Sequence, residues 1–161
     1  NPIEAIGAET FVERAKNSDV DGVITVDYPP EECMHFTKLL KEKNIDSIFL
    51  LSPTTELDRV KLIIEQASGF LYYVSLKGVT GAANIDIEQV KSKVSIIREL
   101  TKLPIGVGFG VRDAATAKEV AKISDAVVVG SRMVQEIENS NKDNLISNIS
   151  KLMQELREAV N

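Results

Sequence analysis

"PIGVGFGVRD", residues 104–113, sets a short apolar run against a turn made almost entirely of glycine and one phenylalanine. Glycine inside a strand weakens it, because it has no side chain to pack and more backbone freedom to lose. Gly106, Gly108 and Gly110 therefore mark a place where bare backbone must approach something closely, and an anion is the first candidate. Four further runs share the character of this strand: "GVITV" (22–26), "SIFLL" (47–51), "FLYYVS" (70–75) and "AVVVG" (126–130). Each is near-continuously apolar, the pattern of strands covered on both faces and hence of a parallel sheet with helical crossovers. Apolar residues at helical spacing predict helices over 31–43, 57–67, 87–100, 114–122 and 144–160 between and after them. "SPTTELD" (52–58) puts Thr54 or Thr55 ahead of Glu56 and Asp58, which predicts a hydroxyl-capped helix start.

No linker, low-complexity segment or shift of composition divides these units, so residues 1–161 are expected to form one α/β domain. Two architectures repeat β and α in this way: an open doubly wound sheet and a closed (β/α)8 TIM barrel. A complete barrel needs eight strands and roughly 250 residues. Five strands in 161 residues mean an open sheet or part of a barrel. The composition is ordinary for a globular chain, 43% hydrophobic and 27% charged with a net charge of -5. That acidic balance disfavours nucleic acid and anionic membrane as partners, since both reward clustered Lys and Arg. No apolar run reaches the roughly 20 residues of a membrane helix. The single cysteine, Cys33, cannot form an internal disulfide, which makes a reducing, cytoplasmic setting the expectation.

In either architecture chemistry collects where parallel strands end. The turn "GFG" follows one strand and "GS" (130–131) follows the next. Amides at a helix start carry partial positive charge and point at an anion, so Gly110, Gly130 and the Ser131 hydroxyl read as a phosphate cradle, with Arg112 and Arg132 nearby. Glycine also simply punctuates tight turns, and that reading stands beside the first. "SLKGVTGAANID" (75–86), with Gly78 and Gly81 flanking Thr80, has the small-residue composition of a lid or of a plain surface loop. Asp27, ahead of Pro29 and Pro30, reads as a turn-shaping residue. His35 and Cys33 read as structural, because no basic neighbour lowers the thiol pKa. Of Tyr72 and Tyr73, alternation sends one inward. No metal-ligand cluster, Gly-Lys-Ser/Thr nucleotide loop or dinucleotide fingerprint occurs in the chain.

"DGVITVDYPPEE", "FLLSPTT", "GFLYYVSLKGVTGAA", "LPIGVGFGVRD" and "DAVVVGSRMV" occur in the order and spacing of the tryptophan synthase alpha subunit, and the chain resembles that family over nearly its whole length. The opening "NPIEAIGAETFVERA" is similar to the helical region after the family's third strand. The resemblance implies a (β/α)8 barrel, here about five of its units. It implies retro-aldol cleavage of indole-3-glycerol phosphate to indole and glyceraldehyde 3-phosphate in tryptophan biosynthesis. Carried over residue by residue, Gly81, Phe109, Gly110, Gly130 and Ser131 hold the substrate phosphate, Thr80 orders the closed lid, and Tyr72 lies near the catalytic carboxylate. The loop with Asp27, Pro29 and Pro30 faces a beta subunit in an alpha2-beta2 heterotetramer. Pyridoxal phosphate belongs to that beta partner, and no cofactor or metal is expected in this chain.

The family's two catalytic carboxylates have no counterpart in these residues, so this chain is expected to be the carboxyl-terminal portion of an alpha subunit with no catalytic residue of its own. An arc of barrel would also leave two parallel edges unpaired, for which a partner or second copy is expected. A non-catalytic phosphate-binding or partner-binding module derived from the barrel is the alternative. A relative of indoleglycerol phosphate synthase is a third reading, disfavoured by the strand-end residues.

Overall fold

The computed structural model describes residues 2–26, 28–75, 86–108 and 110–161. Asp27, Thr80, Gly81 and Phe109 therefore lie outside the described residues. The chain opens with α1 (Pro2–Ile6) and α2 (Ala8–Asn17) and then alternates: β1 (Gly22–Ile24), α3 (Met34–Glu42), β2 (Asp46–Leu51), α4 (Leu57–Gln66), β3 (Leu71–Val74), α5 (Ile87–Leu100), β4 (Ile105–Gly108), α6 (Ala114–Ala121), β5 (Ala126–Val128). Two helices, α7 (Ser131–Glu138) and α8 (Leu145–Val160), complete it.

All four strand pairings are parallel and the sheet order is β1-β2-β3-β4-β5, the order of the sequence. A doubly wound sheet reverses its strand order and carries helices on both faces. Here the helices share one face. Phe49, Leu51, Leu71, Tyr73, Ile105 and Val107 from the three central strands join Val60, Val94, Ile97, Val120, Leu152 and Leu156 from α4, α5, α6 and α8 in one core. Val23 of β1 packs into a second cluster with Val12, Phe36 and Leu40 of α2 and α3. An unreversed parallel order with helices on a single side is an arc of barrel wall.

The expectation of strands buried on both faces holds for β4, all four residues of which are buried, and is corrected for β2 and β3. Buried and half-buried residues alternate along β2 and β3. Leu71 and Tyr73 are fully buried under helices, while Ile48, Leu50, Tyr72 and Val74 on the opposite face are only half-buried and Ile24 is 43% exposed. Apolar residues occupy that second face too, as on the inner wall of a barrel, which is why the runs read as continuous.

Element ends moved as well. β1 stops at Ile24 and β5 at Val128, two residues short of the runs at 22–26 and 126–130, where the chain turns towards the following helix. Residues 30–32 form a turn and Cys33 is the cap position of α3, so the helix starts three residues later than expected. α4 is capped by Glu56 with no side-chain bond, because Thr55 Oγ1 is engaged in accepting the Ser52 amide at 2.9 Å. The expected hydroxyl cap thus closes a turn instead. Periodicity alone did not pick out α1 and α2, which only the resemblance placed as helical.

One polar side chain ties this framework. Asp125 Oδ2 accepts the Ile105 amide at 2.8 Å and pairs with Arg98 at 3.0 Å, joining the starts of β4 and β5 to the end of α5. Burial pushes its carboxyl up, but the Ile105 amide and the Arg98 guanidinium together hold it below the usual carboxylate range. Asp125→Ala should cost about 1 to 2 kcal/mol at neutral pH by stranding the Ile105 amide. The lowered pKa makes this stabilisation complete above about pH 4 and lost as pH falls through the folded-state value. Urea midpoints of the variant and wild type should therefore converge in acid. The Tyr73 hydroxyl, by contrast, is buried with no hydrogen-bond partner among the described residues. An unpaired buried hydroxyl opposes folding, so Tyr73→Phe should raise stability by about 1 kcal/mol, read as a higher thermal midpoint.

Candidate functional site

The last β4–β5 rung pairs Gly108 with Val128. Gly110 and Gly130 each follow that rung by two residues, so both glycine turns leave the sheet side by side at its carboxyl edge. Their reasons for being glycine differ. Gly110 has φ +84, in the left-handed region that disfavours any side chain. Gly130 has φ -109, which other residues adopt, and a Cβ built there meets nothing within 4 Å. Nothing among the described residues demands glycine at 130, and the space above it is open to them.

The two helices that follow these turns also differ. α6 is closed by its own cap: Asp113 Oδ1 accepts the Thr116 amide at 2.7 Å, and that backbone bond holds the carboxyl below its ordinary range. α7 has Gly130 at its cap position with no side-chain acceptor, and exposed Ser131 is its first residue. First-turn amides of a helix have no intrahelical partner. They carry the positive end of the macrodipole. Of the two turns, only the second leaves its helix start to a ligand. Arg132 leans away along the helix, paired with Glu136 at 2.7 Å.

The glycines inside β4 serve neighbouring rings. A Cβ on Gly106 would come within 3.3 Å of the Phe70 ring, and one on Gly108 within 2.5 Å of Tyr72 Oη. The expectation that these two leave room for ligand is corrected: they leave room for the aromatics of the adjacent strand segment. Tyr72 is half-buried on the inner face, with its phenol pushed up by burial, while Tyr73 is the tyrosine that enters the helix-side core.

Beside this lies a cleft of about 510 Å³, walled by Val26, Tyr28, Leu50 and Val74, with the hydroxyl-bearing Ser52 and Thr55 at its margin. Leu50 and Tyr72 are direct neighbours across β2 and β3. Sequence reasoning missed Val26, Leu50 and Val74, although alternation from Tyr72 would have placed Val74 on its face. Pro29 and Pro30 also line the cleft; Pro30 is buried, so Pro29 offers more of the accessible surface, beside Val26 (62% exposed) and Met34 (63% exposed). Cys33 is buried with Sγ 3.3 Å from the Pro30 carbonyl, and burial pushes its thiol up, the condition of an inert packing residue. His35 stands outside the site, bonded to Glu9 at 2.9 Å on the surface. Among the described residues no group of three or more His, Cys, Asp or Glu could hold a metal ion, and no helix is long and apolar enough to cross a membrane.

The signature of the tryptophan synthase alpha chain family matches residues 1–161. The chain belongs to that family. It is 54% identical over 160 residues to the tryptophan synthase alpha chain of Janthinobacterium sp. (strain Marseille), covering 99% of this chain and 60% of that one. The alpha chain of Nitrosomonas europaea is 53% identical over 160 residues, with 58% of it covered. Among solved structures, tryptophan synthase subunit alpha from Legionella pneumophila superposes with a TM-score of 0.85 at 32% identity, and tryptophan synthase from Mycobacterium tuberculosis with 0.88 at 30%. Both are covered to 59%. The chain thus spans about 60% of the length of the curated alpha chains it matches, and its five β-α units are part of the family's barrel.

Proposed function

We propose that this chain serves the alpha-chain reaction of tryptophan synthase, binding indole-3-glycerol phosphate for retro-aldol cleavage to indole and glyceraldehyde 3-phosphate. The observation that carries the reading is the open, uncapped start of α7 at Gly130 and Ser131, beside the left-handed turn at Gly110. Backbone donors there suit a phosphate monoester without requiring a cation. Gly81 and Phe109 complete this cradle in the proposal. The apolar wall of Val26, Leu50 and Val74 suits the indole ring, with Tyr72 supporting the reacting end and Thr80 closing over it.

Cleavage of the bond to the indole carbon needs an acid to protonate that carbon and a base to take the proton released. No residue among these 161 is assigned either role. What they contribute is binding and orientation, which accelerate the step only as far as they favour its transition state. The isolated 161 residues should therefore bind ligand without turning it over. In the proposal the chemistry is acid–base, with no cofactor in this chain, and pyridoxal phosphate resides in a beta partner. That partner meets the loop of Asp27, Pro29 and Pro30, where exposed Val26 and Met34 supply apolar surface. The setting proposed is the cytoplasm.

The test is a titration of the full chain with glycerol 3-phosphate followed by amide NMR. The Gly110, Gly130 and Ser131 amides should shift first and saturate together. Unmoved resonances at millimolar ligand would remove the phosphate reading.

A further inference from the structure

We infer that Ser75 is a positioning residue for the phosphate turn, acting through the carbonyl of Gly108; the inference rests on the phosphate reading above. Ser75 directly follows β3 and is 5% exposed. Its backbone amide donates to the Gly108 carbonyl at 3.0 Å, continuing the parallel ladder. Its hydroxyl donates to the same oxygen at 2.7 Å.

The first bond is enough for strand pairing, and alanine would make it equally well. The second bond needs the hydroxyl, and it directs both donors of one residue onto one carbonyl in a buried position. That carbonyl belongs to the last residue of β4, two residues before Gly110 at φ +84. Two glycines within three residues give this stretch wide backbone freedom. Tyr72 already fills the space beside the Gly108 α-carbon. With the ring against the α-carbon and Ser75 on the oxygen, the Gly108 carbonyl is held from two sides at the point where β4 ends and the phosphate turn begins. Binding by fixed donors gains affinity from preorganisation, so releasing this carbonyl should weaken the phosphate contact more than any other.

The experiment compares wild type, Ser75→Ala and Ser75→Thr in the full chain, titrated separately with glycerol 3-phosphate and with indole, which lacks the anion. Ser75→Ala leaves the Gly108 carbonyl still bonded to an amide, so the fold should persist. Its affinity for glycerol 3-phosphate should fall about tenfold, the weight of one hydrogen bond. Its affinity for indole should stay within about twofold, and Ser75→Thr, which keeps the hydroxyl, should restore phosphate binding. Equal affinity of wild type and Ser75→Ala for glycerol 3-phosphate overturns the inference. So does a parallel loss for both ligands, which marks a general structural role, or a Thr variant as weak as Ala. Failure of the wild type to bind glycerol 3-phosphate at all is a different result: it sinks the phosphate reading itself, and this inference with it.

Discussion

Replacing Gly130 by aspartate should abolish phosphate binding without weakening the fold. The backbone at 130 has φ -109, open to an L residue, and a Cβ there meets nothing within 4 Å. Aspartate is among the best cap residues, because its carboxylate accepts a first-turn amide; gains over a residue without an acceptor are about 1 kcal/mol. It also sits at the favourable end of the helix dipole. The same carboxylate occupies the donors and opposes the incoming anion. At an effective dielectric constant of about 20, two unit charges about 4 Å apart repel by about 4 kcal/mol, so affinity for glycerol 3-phosphate should drop about a thousandfold. Calorimetry reads the affinity and a thermal melt reads the fold. Gly130→Asn fills the same space with a neutral cap, and its smaller loss separates charge from occupancy. Retained affinity in the aspartate variant would move the anion away from α7.

Gly108→Ala should show the opposite, a loss of the fold's own stability. The added Cβ would lie 2.5 Å from Tyr72 Oη, 2.7 Å from Tyr72 Cε2 and 2.9 Å from Val128 Cβ. A flexible side chain can swing aside, but Val128 Cβ is fixed to β5, paired with Gly108 in the ladder. Either a ring leaves its place or two strands separate, and overpacking of this kind costs about 1 to 3 kcal/mol. Tyr72→Ala on the same background should recover the part owed to the ring and leave the part owed to Val128. Urea midpoints of the four proteins would then be non-additive, as expected for residues in contact. Strictly additive effects would mean that Tyr72 is not what Gly108 accommodates.

Much of this molecule was legible from its residues. The five apolar runs became the five parallel strands, and helical spacing located α3 to α6 and α8 to within a few residues, because both signals reflect which side chains leave water. The glycine turns after β4 and β5 were legible for the same local reason: backbone freedom is written in residue type. What stayed hidden lies between elements. The same residues that mark a glycine-rich strand do not say whether a ligand or a neighbouring ring fills the space, and the Phe70 and Tyr72 rings do so at Gly106 and Gly108. Leu50 and Val74 read as core in a continuous apolar run, yet they face the cleft.

By itself, then, the sequence determined the β-α alternation, the places where the chain turns and the family resemblance, since these depend on residues near one another along the chain. Only the tertiary structure decided which face of each strand lies under helices, and that Ser75 reaches the Gly108 carbonyl 33 residues away. Those outcomes depend on the register between strands, where a shift of a single residue sends every side chain to the other face.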